Sequence, residues 1–223
     1  MITANLHTIK ARIAQLSQHY GAPTPQLLAV SKKHPLSAIK AAIAQGQRHF
    51  GESYVQEAIE KITTLNNPNV TWHFIGPIQS NKTKAIATHF DWAHSVDREK
   101  IAQRLNDQRP DNLPPLKIFL QVNLDHEPQK SGFTSEALPN AICQILTLPK
   151  LTLHGLMAIP KPRESLAAQR AAFAQLRDIL VICQVQCPEM TDLSMGMSND
   201  MEAAIAEGSN WLRIGTAVFG ARA

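Results

Sequence analysis

The sequence predicts a single α/β domain over residues 1–223, folded as one closed (β/α)8 barrel of the TIM type with an extra N-terminal helix. Short apolar, β-branched runs alternate with longer amphipathic stretches from Leu27 to the end of the sequence. No Pro-, Gly- or Ser-rich linker interrupts this alternation. A chain of 223 residues with 44% hydrophobic side chains also suits one sizeable core.

The predicted elements follow one another in the order that a barrel requires. The N-terminal segment MITANLHTIKARIAQL has apolar residues at helical spacing. The eight predicted strands are Leu27–Ser31, His49–Ser53, Thr71–Gly76, Trp92–Val96, Lys117–Asn123, Leu153–Ile159, Met190–Gly196 and Trp211–Gly220. Helical patterns between them include LSAIKAAIAQ, SYVQEAIEKI, REKIAQRLN, EALPNAICQIL, AAQRAAFAQLRDIL and NDMEAAIAE. A doubly wound open sheet is the rival, but it usually has fewer strands, and its Gly-rich turn is absent after the first strand.

Composition excludes several classes of function. The net charge is +4, its basic residues are scattered, and aromatic residues make up 5%, so we expect no nucleic-acid partner. No segment is apolar for long enough to cross a bilayer or to act as a secretory signal, which argues against a membrane partner. Three cysteines suit a reducing compartment, and we expect a cytoplasmic protein. Cys183 and Cys187 lie four apart in an apolar helical pattern without a matching Cys/His pair, so we expect no metal site.

Two lysines follow the first predicted strand directly, in the stretch LLAVSKKHP. Ligands bind at the carboxyl ends of barrel strands, and strand alternation places Lys32 on one face with Leu28, and Lys33 on the other face. Burial favours the neutral amine of an inward lysine, and a neutral amine is the nucleophile that forms a Schiff base. The alternative for this stretch alone is that both lysines only solvate the end of the strand.

A phosphate site is predicted after the seventh and eighth strands, where barrels often bind phosphate. Asn199 and Glu202 have capping-box spacing, and Gly208 is a good stop, which predicts a short helix from about Asp200 to Glu207. Ser198 can donate from its hydroxyl group at the start of this helix. Gly215 and Thr216 can offer backbone N–H groups. The alternative is an ordinary loop and a packing glycine.

An amine and a phosphate site at one barrel mouth favour a ligand with both an aldehyde and a phosphate, and pyridoxal 5'-phosphate (PLP) is such a cofactor. The motifs AVSKKHP, HFGESYVQE, WHFIGPIQSNK, GLMAIP, LSMGMSNDMEAAI and RIGTAVFGAR resemble those of the YggS/PROSC family of PLP homeostasis proteins over nearly the whole chain. A barrel enzyme that binds a phosphate ligand without PLP is a third class of function.

The resemblance implies a PLP barrel of fold type III, related to the N-terminal domain of alanine racemase and monomeric or weakly associating. By the family pattern, Lys32 holds PLP as a Schiff base, Arg213 faces the pyridine nitrogen, and Ser198, Gly215 and Thr216 hold the phosphate. One departure is visible, because FGESY places Ser53 where the family usually has asparagine. Ser53 has fewer hydrogen bonds to offer to the ring.

The residue types also bear on reactivity. A guanidinium that faces the pyridine nitrogen keeps that nitrogen unprotonated and makes the ring a poor electron sink. Racemisation needs a second base, which alanine racemases supply as a tyrosine from an additional C-terminal domain, whereas this sequence ends at Ala223. We therefore expect a PLP carrier in intracellular PLP and amino-acid homeostasis, with PLP-dependent apoenzymes as recipients and no robust turnover. A small amino-acid racemase or related enzyme is the alternative.

The remaining polar and aromatic residues of the matched motifs carry no assigned role at this point. His73 and Met157 lie within apolar strands, where such residues are more often part of the core. Trp72, Trp92 and Trp211 are expected to pack in the core or between helix and barrel.

Overall fold

A computed structural model of the chain describes residues 1–127 and 129–221. Within these residues, eight parallel strands form a closed barrel in sequential order, and the last strand pairs with the first. The strands are β1 Gln26–Val30, β2 His49–Glu52, β3 Thr71–Phe74, β4 Trp92–Val96, β5 Leu116–Gln121, β6 Leu151–Met157, β7 Asp192–Ser194 and β8 Trp211–Ile214. The predicted barrel is confirmed. Arg222, the last residue of the motif RIGTAVFGAR, lies outside the described residues.

Helices connect the strands on the outside of the barrel. They are α1 Ile2–Tyr20, α2 Leu36–Ala44, α3 Val55–Leu65, α4 Thr83–His89, α5 Glu99–Gln108, α6 Leu138–Ile145, α7 Leu166–Gln184, α8 Met201–Ala206 and α9 Thr216–Phe219. The extra N-terminal helix is α1, and it ends at Gly21, whose φ of 61° is left-handed. The long helix α7 begins after Ser165, whose hydroxyl oxygen accepts a hydrogen bond from the N–H of Ala168 at 3.2 Å.

Two cores divide the apolar residues between the inside and the outside of the barrel. Inside, one cluster contains Leu28, Trp92, Phe119, Met157 and Trp211. The larger core, which includes Trp72, fills the layer between the strands and the helices. The three tryptophans therefore serve as packing residues, two inside the barrel and one outside.

The segment after β8 differs from its prediction. The alternating pattern of TAVFG favours a continued strand, but the last residue pair between β1 and β8 is Ala29 with Ile214. No strand partner is recorded beyond this pair among the described residues. The chain instead turns into α9, where the N–H groups of Val218 and Phe219 both donate to the carbonyl oxygen of Gly215.

The helix after β7 starts later than predicted and lacks the predicted capping box. Its N-cap residue is Asp200, without a side-chain capping bond. The carboxylate of Glu202 instead accepts hydrogen bonds from Tyr20 at 3.0 Å and from Arg12 at 3.1 Å, so it ties α8 to α1. Helix α4 was not among the predicted patterns, because its seven residues TKAIATH hold too few apolar positions to show a period.

No helix among the described residues combines the length and the apolar character needed to cross a membrane.

Gly155 in β6 allows close approach of β7, and this contact supports a prediction about stability. A Cβ atom at position 155 would overlap the backbone carbonyl oxygen of Asp192, with which Gly155 is in register. We expect Gly155→Ala to lower the free energy of unfolding by about 3 kcal/mol or more, because a backbone must shift to relieve the overlap. Urea unfolding followed by tryptophan fluorescence measures the change.

The matched control is Gly208→Ala. Gly208 has a left-handed φ of 84° and open space around its Cβ position, so only backbone strain of about 1–2 kcal/mol is expected. Equal losses of stability in the two variants would contradict the role assigned to Gly155.

Candidate functional site

The carboxyl ends of the strands open into a cavity of about 650 Å³. Five of the residues predicted to bind one cofactor line this cavity together: Lys32, Ser198, Arg213, Gly215 and Thr216. The sixth, Ser53, lines an adjoining lobe of about 620 Å³ that shares Lys32, Ile75 and Ile159 with the first cavity. All six predicted residues therefore lie at one end of the barrel, around the amine of Lys32.

Lys32 and Lys33 form a turn just after the end of β1. The Nζ atom of Lys32 donates a hydrogen bond to the hydroxyl oxygen of Ser53 at 3.2 Å. Lys33 has a φ of 61°, a left-handed conformation that a lysine adopts only when its surroundings hold it. Its N–H donates to the carboxylate of Glu57 at 2.6 Å, and its amine lies 5.8 Å from the ring centre of Tyr54. Lys32 thus faces the cavity.

A buried ionic network supports this turn from the side of α3. Lys61 donates hydrogen bonds to the carboxylate of Glu52 at 2.8 Å, to that of Glu57 at 2.6 Å and to the carbonyl oxygen of Ser31 at 2.9 Å. Ser31 donates to Glu52 at 2.6 Å. Burial raises the pKa of Glu52, and the hydrogen bonds from Lys61 and Ser31 oppose the rise. The residues before and after Lys32 are therefore both anchored to one carboxylate-lysine network.

Arg213 is a buried cation at the floor of the cavity. Its guanidinium donates to the carbonyl oxygen of Ser194 at 2.6 Å, to the Ser194 hydroxyl oxygen at 2.8 Å and to the carbonyl oxygen of Ala158 at 3.0 Å. Among the described residues it forms no ion pair. Burial lowers the pKa of Arg213 to about 10, and the charge of Asp200 partly offsets this effect. At neutral pH the group stays positively charged.

Several backbone N–H groups lie on the side of the cavity that is formed by the loops after β7 and β8. Among the described residues, the N–H groups of Ser198, Gly215 and Thr216 have no recorded backbone partner. At Gly215, a Cβ atom would lie 3.3 Å from the carbonyl oxygen of Val30, so a larger residue would crowd the end of β1. Free N–H groups beside two cations suit a small anion such as a phosphate group.

A chain of three histidines inside the barrel was not predicted as part of the site. His49 Nδ1 lies 3.0 Å from His73 Nε2, and His73 Nδ1 lies 2.9 Å from His94 Nε2. His94 Nδ1 in turn lies 2.8 Å from the hydroxyl oxygen of Ser194, which Arg213 contacts. A signal was present in the sequence, because three consecutive strands each carry a histidine, at His49, His73 and His94. Burial holds the pKa of His73 and of His94 well below the usual value, and it also lowers that of His49.

The lining of the adjoining lobe has basic side chains and lacks acidic ones among the described residues. It includes Lys32, Lys82, Gln56 and Gln79. A small molecule that enters this lobe meets the amine of Lys32 directly. The lining of the lobe therefore favours the entry of anions.

The whole arrangement fits PLP. An amine next to a free lobe can bond to an aldehyde, and a buried cation can face an unprotonated ring nitrogen. The donor-rich loops can hold a phosphate group. These three features lie around a single cavity, which is large enough for a ligand of this size.

Comparison with known proteins gives consistent findings. The model of the family described as "Alanine racemase, N-terminal domain" matches residues 4–223. Two proteins named pyridoxal phosphate homeostasis protein are similar over nearly their full length. The one from Pseudomonas aeruginosa is 53% identical, covering 99% of this chain and 96% of the relative. The one from Escherichia coli K12 is 47% identical, covering 99% and 97%.

A solved structure, PipY of Synechococcus elongatus with PLP bound, is also similar to this chain. The TM-score is 0.88 at 40% identity, and the match covers 99% of this chain and 100% of PipY. At this level of similarity, the barrel and its mouth correspond over the whole length.

The buried histidines predict a loss of stability in acid. The unfolded chain takes up protons at histidine as the pH falls below about 6.5, whereas the folded protein keeps His73 and His94 neutral. Each such group lowers the free energy of unfolding by up to about 1.4 kcal/mol per pH unit. We expect His73→Phe to flatten the slope of stability between about pH 7 and pH 5 in urea unfolding experiments.

His7→Gln is the control for this experiment, because His7 is an exposed residue of α1. Its slope should match that of the wild-type protein. Comparing slopes also removes the contribution of carboxylates that titrate in the same range. Parallel slopes for His73→Phe and the wild-type protein would contradict the prediction.

Proposed function

Because the chain belongs to the alanine racemase N-terminal domain family, and to the pyridoxal phosphate homeostasis proteins within it, we propose that it binds PLP through a Schiff base on Lys32 and regulates the supply of PLP. The observation that carries this proposal is the shared cavity of Lys32, Arg213, Ser198, Gly215 and Thr216 at the carboxyl ends of the strands. PLP, when bound, supplies an aldehyde that reacts reversibly with primary amines.

Lys32 is the residue that forms the covalent bond in this proposal. With PLP bound, Lys32 would supply the amine nitrogen of the Schiff base, whose formation releases one molecule of water and is reversible. Ser53 accepts a hydrogen bond from this amine at 3.2 Å, and so directs the nitrogen toward the junction of the two lobes. The serine thus contacts the lysine directly.

The remaining groups hold the cofactor in place. Ser198, Gly215 and Thr216 offer a hydroxyl group and N–H donors for the phosphate, and Arg213 faces the ring nitrogen. The positive charge of Arg213 is not neutralised by an ion pair, because its recorded partners among the described residues are two carbonyl oxygens and a hydroxyl oxygen. A permanent cation at that position opposes protonation of the ring nitrogen and weakens the electron withdrawal that most PLP reactions need. The site therefore suits storage better than turnover.

We further propose that the chain acts as a monomer and that PLP-dependent apoenzymes receive its cofactor. All six residues proposed to bind PLP lie at the mouth of one barrel. The open lobe beside Lys32 gives the amine of a recipient a route to the aldehyde.

One observation favours amino-acid racemisation as a second candidate. Tyr54 lines the lobe that contains Lys32, and a racemase needs a second proton-transferring group of this kind. Its side chain is 48% exposed, however, so water competes with any substrate for the phenol group. Racemisation therefore ranks behind storage.

The first prediction from this proposed function concerns which of the two lysines, Lys32 or Lys33, binds PLP. Incubation with PLP and reduction with borohydride should fix one PLP on Lys32, which mass spectrometry of the digested protein identifies. Lys32→Ala should abolish the adduct at this site. Lys33→Ala should retain it, because Lys33 is not among the described residues that line either lobe. An adduct on Lys33 and none on Lys32 would refute the proposal.

The second prediction separates storage from racemisation. Purified holoprotein should produce no D-amino acid above the rate of free PLP when it is incubated with a panel of L-amino acids and analysed by chiral chromatography. A steady rate that disappears in both Lys32→Ala and Tyr54→Phe would establish the racemase instead.

A further inference from the structure

A TIM barrel is usually filled by layers of branched aliphatic side chains. In this chain, part of the interior is polar. His73, His94 and Ser194 are all completely buried, and Arg213 is 5% exposed. Buried polar groups cost free energy unless every donor and acceptor is satisfied. The cavity accounts for Arg213, but His49, His73, His94 and Ser194 have no role in the proposed PLP chemistry.

The hydrogen bonds that connect Arg213 to His49 through Ser194, His94 and His73 all run in one direction. Arginine can only donate, so the hydroxyl oxygen of Ser194 accepts from Arg213 at 2.8 Å. The hydroxyl hydrogen of Ser194 has one recorded acceptor among the described residues, His94 Nδ1. His94 must then carry its hydrogen on Nε2 and donate it to His73 Nδ1. By the same reasoning, His73 donates from Nε2 to His49 Nδ1.

This direction has an electrostatic consequence. In Ser194 and in each of the three histidines, the electron-rich acceptor atom lies toward Arg213 and the hydrogen lies away from it. Aligned dipoles in a low-dielectric interior stabilise a nearby cation, and hydrogen bonds in series polarise one another. A carboxylate partner would also stabilise the cation, but it would add a negative charge. The aligned dipoles add none. The far end, His49, is partly exposed and lines a separate cavity at the opposite end of the barrel.

We propose that Ser194, His94, His73 and His49 form a one-directional hydrogen-bond relay, here called the histidine relay, that positions Arg213 and stabilises its charge in place of a counter-ion. The relay holds the guanidinium toward the cofactor ring and leaves its full positive charge available there. This inference rests on the proposed function of Arg213 as the partner of the PLP ring nitrogen. Ser194 and the three histidines are positioning residues, which act on PLP only through Arg213.

The first test needs no cofactor. Nuclear magnetic resonance of protein labelled with ¹⁵N-histidine reports which ring nitrogen carries the hydrogen in each tautomer. We expect His94, His73 and His49 to be neutral with the hydrogen on Nε2. Arg213→Gln should change the signals of His94 and His73, because it removes the cation that fixes the direction, whereas Lys32→Ala in the same cavity should not. A hydrogen on Nδ1 of His94 would overturn the relay, whether or not the protein binds PLP.

The second test uses the PLP-loaded protein. Ser194→Ala and His94→Phe remove the contacts nearest Arg213, and each should raise the Kd for PLP by about tenfold and move the pH midpoint of its visible absorbance. His94→Asn can keep an acceptor near Ser194 and should restore most of the affinity. His73→Phe leaves the first two members in place and should raise the Kd by about threefold or less.

His154→Phe is the matched control. His154 packs against Trp92 inside the same barrel, with ring centres 4.6 Å apart, but it takes no part in the relay. It should leave the Kd and the pH midpoint unchanged, and circular dichroism checks that each variant is folded. If folded Ser194→Ala and His94→Phe bind PLP like the wild-type protein, or if His154→Phe matches His94→Phe, the relay has no positioning role. A wild-type protein that forms no adduct on Lys32 would instead disprove the proposed function and leave the tautomer result standing.

Discussion

The structure depends on the pairing of β8 with β1, which closes the barrel. Its register places Leu28 opposite Arg213 and Ala29 opposite Ile214. Residues that are far apart in sequence thereby meet at one end of the barrel, so that Lys32 and Thr216 line the same cavity. A sheet that stayed open between these two strands would separate the amine from the donors for the phosphate.

Buried polar groups in the interior lower the free energy of unfolding, and the apolar packing of the barrel offsets this loss. Within the described part of the chain, Arg213 contacts acceptor oxygens and forms no ion pair, and the histidine relay behind it takes positions that aliphatic residues usually fill. Tryptophan and phenylalanine rings pack around these histidines, with His73 stacked on Trp92 at 5.4 Å between ring centres. The large aromatic surface keeps water out and so strengthens each polar contact.

The fold was predictable because the alternation of strands and helices is regular, and the family resemblance spans nearly the whole chain. Strand parity placed Lys32 and Lys33 on opposite faces, the family resemblance selected Lys32, and the position of the loops after β7 and β8 in barrels indicated the donors there. The end of β8 was not predictable, because TAVFG alternates like a strand. Only the structure shows that β1 offers β8 no pairing beyond Ala29 in the described residues, and that the segment turns into a helix. The contact of Ser53 with Lys32 and the chain from His49 to Ser194 depend on side-chain directions across several strands. No local pattern in the sequence encodes those directions.

The left-handed turn at Lys33 has a consequence for how the end of β1 is positioned. The turn is fastened to Glu57 and Lys61, two residues of the second crossover unit, and helix α2 supplies neither of these bonds. Ser31 and Lys33, the two neighbours of Lys32, are therefore held in place by residues of β2 and α3. Glu57 and Lys61 line neither lobe of the cavity, so the geometry of the strand end that carries Lys32 is set by side chains that no ligand in the cavity would touch.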